Sequence, residues 1–204
     1  MGVNTKYAFT RATVIITITI IVTLAVLLGV LTSFLWGVIE KKLHPIDYSA
    51  YITQYSTEYN VPEPIIYAVI KVESDFDPHA HSNAGARGLM QMLPSTFEWL
   101  TGDEHLDEHL NKTDLFDPEV SIRYGTYYLR YLYQRFNYDW DVALAAYNGG
   151  EGNVAKWLKD SRYSDDGITL KDIPFDETKN YVKKVNKEIE AYKSLYYEQN
   201  EVKE

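Results

Sequence analysis

The chain has 204 residues, 46% apolar and 24% charged, with no cysteine and a formal net charge of −9. Only Lys6 and Arg11 of its 20 bases, and none of its 29 acids, fall in the first 39 residues, so the remainder carries a net charge of −11. So acidic a remainder is ill suited to nucleic acid, whose phosphates need clustered Lys and Arg. The lack of cysteine excludes disulfides, thiolate metal ligands and a cysteine nucleophile.

Residues 1–11 read as a short N-terminal tail. Residues 12–39 are 28 consecutive positions without a charge. As a helix rising about 1.5 Å per residue they span roughly 42 Å, against about 30 Å of hydrocarbon. One N-terminal transmembrane anchor is predicted there, with Trp36 at the interface. A cleaved signal peptide fits less well, because the apolar run is about twice the usual signal core and no small-x-small site follows it. Lys6 and Arg11 on one side and Lys41 and Lys42 on the other leave the orientation open. Residues 40–47 are a polar connector containing Pro45.

Residues 48–199 form the domain proper. Helices are predicted for Ser49 to Tyr59, for a stretch opened by Pro62 or Pro64 and running to about Asp75, and for one starting at Pro94-Ser95-Thr96. Asp117-Pro118 supplies an N-cap and first-turn proline for a long helix to about Phe136. Asp139 to Tyr147 is a further helix, closed by Asn148-Gly149-Gly150, and Asp176 caps a last long one. Alternating runs are nearly absent, so the class is all-α with at most a minor β-hairpin. Residues 200–204 read as a frayed tail.

One acid stands apart. On a helix, Ile66, Ile70 and Glu73 fall at i, i+4 and i+7 on one face. Apolar surroundings and the negative end of the helix dipole both disfavour the carboxylate and raise its pKa. An ordinary Glu near 4.3 is only about 0.2% protonated at pH 7, whereas one raised to about 6–7 is roughly 10–50% protonated and serves as a general acid. After it, Gly85 and Gly88 permit tight turns, and Gln91 offers an amide suited to a sugar or acetamido group.

Glu73-Ser74, Ser82, Gly85-Ala86-Arg87-Gly88-Leu89-Met90-Gln91, Pro94-Ser95-Thr96, Ala145-Ala146-Tyr147-Asn148 with Gly152, and Pro174-Phe175 before Glu177-Thr178 and Tyr181-Val182 follow one another in order. Over residues 48–195 this set resembles the soluble lytic transglycosylase (SLT) family, the goose-lysozyme-like peptidoglycan lyases. The resemblance implies a lysozyme-like fold, no cofactor and no metal. It also implies that Glu73 acts alone, first as acid and then as base, on the bond between N-acetylmuramic acid and N-acetylglucosamine, leaving a 1,6-anhydro sugar. Ser82, Met90, Gln91, Tyr147, Asn148, Glu177 and Tyr181 are carried over as substrate-binding residues, Met90 as a groove wall and Tyr147 as the tyrosine that reaches the catalytic centre. Ser121 departs from the family, which often has Asn there.

The expected partners are peptidoglycan glycan strands and, through residues 12–39, a membrane, with the domain facing the cell wall. Two rival readings stay open: a muramidase that hydrolyses the same bond, and a non-catalytic glycan-binding scaffold. His105 and His109 are four apart, but without a third ligand in register they read as loop residues rather than a metal site. Most of Tyr124, Tyr127, Tyr128, Tyr131 and Tyr133 are expected to pack helices, with one or two lining a groove.

Overall fold

The computed structural model describes residues 4–102, 105–106 and 109–198. It divides into two units, residues 1–45 and 46–204.

The first unit is one helix, α1, Asn4–Leu43. It overruns the uncharged segment at both ends, so residues 4–11 are helical rather than a tail, and the connector begins after Leu43. The absence of charge marks what lipid tolerates, not where the backbone stops being helical. Residues Thr10–Leu43 are long and apolar enough to cross a membrane, and side chains such as Ile15, Leu28 and Phe34 are exposed. The hydroxyls of Thr17, Thr19 and Thr23 bond back to the carbonyls of Thr13, Ile15 and Thr19, each at 2.9 Å. That satisfies polar groups internally, as hydrocarbon requires.

The second unit contains α2 (Ser49–Tyr59), α3 (Glu63–Ser74), α4 (Pro94–Leu100), a 3₁₀ turn (Asp114–Phe116), α5 (Pro118–Arg135), α6 (Trp140–Gly149), α7 (Glu151–Trp157) and α8 (Asp176–Tyr192), which runs into a π turn (Lys193–Tyr197). The proline and aspartate signals act as expected. Asp117 accepts from the N–H groups of Glu119 and Val120 at 2.8 and 3.4 Å, and Asp139 from that of Val142 at 2.9 Å. The cap of α8 does not: Phe175 occupies the N-cap without a side-chain bond, and Asp176 and Glu177 are first-turn acids facing the helix's positive end. The hairpin reduces to two isolated bridges, His81 with Arg87 and Arg87 with Met92. α7 was not foreseen. Gly150, at φ 86°, turns the chain from α6 directly into it.

The core is centred on α3, whose residues Pro64 to Ile70 are all buried. It packs against α8 and α2, while α5 packs against α2 and α6. This clamps both faces of α3 and leaves its C-terminal turn at the edge of the core.

Candidate active site

The C-terminal turn of α3 presents Glu73. Asp75 closes the helix in the left-handed region at φ 51° and pairs with Lys71. Ser74 donates to the Leu89 carbonyl at 2.8 Å. The residue after Glu73 thereby fastens the 80–92 loop to the end of the helix.

That loop is held by its own backbone and by side chains that bond to it. Ser82 N–H bonds Ala86 C=O at 3.0 Å, Gly85 N–H bonds Ser82 C=O at 2.9 Å, and Gly88 N–H bonds Ala80 C=O at 3.0 Å. Gly88 sits at φ 73°, where an added Cβ would lie 1.9 Å from the Leu115 carbonyl oxygen. Only glycine meets both demands. Ser82 Oγ accepts from Ala86 N–H at 3.0 Å. Gln91, at φ 45°, spends its amide NH₂ on the carbonyls of Ala80 and Gly88, both at 2.9 Å. Its Oε1 is left as the group able to meet a ligand.

Glu73, Ser82, Gln91, Tyr147, Asn148 and Glu177 line one cleft of about 410 Å³, together with Asn83, Ala84, Ala86 and Leu93. Five of the seven residues expected to bind substrate are therefore brought together around Glu73. Tyr181 stands behind the acid rather than in the lining, buried within α8. Its buried hydroxyl has no hydrogen bond of full geometry, yet it is the influence that pulls the Glu73 pKa down.

Burial outweighs that pull and raises the Glu73 carboxyl from 4.5 to about 7. Burial likewise holds the Tyr147 and Tyr181 phenols well above their ordinary value, with the Glu73 charge adding to it. Both therefore stay neutral donors. The Tyr147 hydroxyl donates to the Met90 carbonyl at 2.7 Å, so its proton is committed to the loop. Of the two phenols, Tyr181 is the one whose proton is free for Glu73.

Met90 is a correction. Its side chain is 0% exposed and packs into the face of α5 at Gly125, where a Cβ would lie 2.3 Å from its sulfur. It props the groove wall from behind and cannot touch a ligand. The departure at Ser121 is accommodated, because Ser121 Oγ accepts the Met90 N–H at 3.1 Å in the buried interior. The acids next to Glu73 in sequence are engaged elsewhere: Asp75 faces solvent beside Lys71, and Asp77 accepts the His79 N–H at 2.9 Å. His105 turns its Nδ1 to the Tyr127 hydroxyl at 3.2 Å, and no group of three or more His, Cys, Asp or Glu side chains that could hold a metal occurs among the described residues.

Sequence reasoning missed Asn83, Ala84, Ala86 and Leu93, and also a smaller lobe. Thr96, Tyr128 and Gly150 line it together with Gln91, Leu93, Tyr147 and Asn148, which it shares with the main cleft. Position beside Ser82 and Gln91 was the available signal for Asn83 and Leu93. Tyr128 comes from the group of tyrosines of which one or two were expected to line a groove, though nothing in the sequence singled it out.

The site is thus one largely buried carboxyl at a helix end, faced across a cleft by a glycine-bent loop, in a domain whose described elements are all helical. The family profile described as "Transglycosylase SLT domain" matches residues 50–168, more than half of the chain, and the chain belongs to that family. It is 35% identical over 152 residues to the soluble lytic murein transglycosylase of Escherichia coli K12, covering 74% of this chain and 23% of that protein. It is 29% identical over 180 residues to the membrane-bound lytic murein transglycosylase C of Photorhabdus laumondii, covering 76% and 48%. The structure of an inactive glutamate-to-glutamine mutant of lytic transglycosylase Slt from Pseudomonas aeruginosa superposes with a TM-score of 0.64 at 32% identity, covering 74% of this chain and 24% of that one. The chain thus spans less than half the length of these relatives.

Proposed function

We propose that this protein is a membrane-anchored lytic transglycosylase of peptidoglycan, with Glu73 as its single general acid and base. The observation that carries the reading is a carboxyl at about 7 in the wall of a cleft flanked by two neutral phenols. At neutral pH such a group is roughly half protonated, so both forms that the reaction needs are populated.

In the first step Glu73 gives its proton to the glycosidic oxygen as the bond to C1 of N-acetylmuramic acid breaks, and the muramyl acetamido group stabilises the positive centre. In the second, the Glu73 carboxylate takes the proton of the same sugar's 6-hydroxyl as that oxygen bonds to C1. A 1,6-anhydro end forms and no water is consumed. The Tyr181 hydroxyl favours the carboxylate that the first step creates. Gln91 Oε1 accepts an N–H or O–H from the sugar, and the Asn148 amide lies open to the cleft.

The anchor reading draws on the long apolar helix and on the membrane-bound relative. Tethering would raise the enzyme's concentration beside an insoluble polymer, and the substrate would place residues 48–199 outside the cytoplasm. Glu177 in the same cleft favours hydrolysis, since a two-carboxylate glycosidase needs a second acid.

Digestion of purified peptidoglycan by the full-length protein in ¹⁸O-labelled water separates the readings. The expected product ends are lighter than hydrolytic ends by one water and carry no label. Labelled reducing ends would instead mean a muramidase, and binding without any cleavage would mean a scaffold.

A further inference from the structure

The lobe containing Thr96 and Tyr128 continues the Glu73 cleft, because the two share Gln91, Leu93, Tyr147 and Asn148. Trp99 lies one turn beyond Thr96 on α4, on the same face. From Tyr147 a row of rings leads outward: Tyr128 at 5.5 Å between centroids, then Trp99 at 6.4 Å from Tyr128. The apolar side chains that α4 turns inward, Phe97 and Leu100, are 2% and 0% exposed, whereas the larger Trp99 is left 41% exposed.

That exposed ring is firmly held. Tyr131 meets it at 5.1 Å and 76°, and His105 at 4.1 Å and 68°, while His105 is itself bonded to the Tyr127 hydroxyl. A ring already fixed in place loses little freedom when a ligand lies on it.

We propose that Trp99, with Tyr128, forms an outer subsite on which sugar rings of the glycan strand stack beyond the linkage being cut. The inference rests on the glycan reading above and adds a platform outside the motifs that carry the family resemblance. A pyranose presents a flat C–H face with hydroxyls at its rim. That matches the exposed part of the Trp99 indole, set beside Tyr128 with Thr96 one turn away. The groove's continuity with the Glu73 cleft makes the occupant the same strand that is being cleaved.

Titration calorimetry on the full-length protein in detergent micelles tests this. A Glu73→Gln background stops turnover, and the ligands are peptide-free glycans, either one repeat on each side of the scissile bond or many repeats long. The background protein should bind the long strands more tightly than the short. Adding Trp99→Ala should weaken long-strand binding about tenfold, the size of one lost aromatic contact, and leave short-ligand binding unchanged. Trp99→Phe should fall between, and it carries the test if Trp99→Ala does not fold. Equal losses at both lengths, or no loss on long strands, would overturn the subsite. A parallel titration with peptide-bearing strands of the same length is the control: a loss seen there and not with the peptide-free strands would assign the platform to the stem peptide and overturn the subsite too. Failure of every variant, the background included, to bind either glycan would remove the glycan reading and this inference with it.

Discussion

Glu73→Gln should make the protein more stable at pH 8 and leave it nearly unchanged at pH 4. Burial raises the folded carboxyl to about 7, while the unfolded chain keeps the ordinary value of 4.5. Folding therefore favours the protonated acid. Its stability contribution is intact below 4.5, falls as pH rises between 4.5 and about 7, and is fully lost above that. At about 1.4 kcal/mol per unit, the 4.5-to-7 gap corresponds to an upper bound of roughly 3.5 kcal/mol at pH 8. Because Glu73 lines an open cleft and retains some water, about 1–3 kcal/mol is the working figure. Glutamine removes the ionisation and so recovers that amount. For a domain of this size it corresponds to a rise of roughly 3–10 °C in Tm. Thermal melts of wild type and variant followed by near-ultraviolet circular dichroism, at pH 4, 6 and 8, measure it. A gain independent of pH, or a loss at pH 8, would refute the reasoning, because either means that the folded site does not penalise the charge.

Other changes probe the supports of the acid. Tyr181→Phe removes the influence that lowers the Glu73 pKa, so the alkaline limb of the kcat/KM profile should move to higher pH. In Tyr147→Phe, whose hydroxyl is spent on Met90, the limb should stay where it is. Ser121→Ala strands the buried Met90 N–H and should cost about 1–3 kcal/mol in denaturant unfolding. Gly88→Ala forces a Cβ against the Leu115 carbonyl at a positive φ, and should lower Tm sharply or prevent folding altogether.

Local rules made most of the helices legible. Pro62, Asp117 and Asp139 each sit where the backbone needs a fixed φ or an acceptor for the first-turn N–H groups. Glu73 was legible because helical periodicity puts it on the stripe of Ile66 and Ile70, and burial then moved its pKa as expected. α7 was lost because Gly149-Gly150 reads equally well as a stop and as a corner between two helices. Met90 was misassigned because the space that takes its side chain is made by Gly125, 35 residues away on another helix. The nearness of Tyr181 to Glu73 likewise depends on α8 packing against α3, and nothing in either segment announces it.

The central claim is that one carboxyl, Glu73, gives a proton to the leaving oxygen and then takes another from the sugar's 6-hydroxyl. Comparing cleavage rates of wild type, Glu73→Gln and Glu177→Gln on purified peptidoglycan, with glycan binding measured alongside, addresses it most directly. Loss of general acid catalysis should slow Glu73→Gln by about 10²–10⁴-fold with binding retained, while Glu177→Gln still yields anhydro ends. Near-normal cleavage by Glu73→Gln, or abolition by Glu177→Gln alone, would contradict the account.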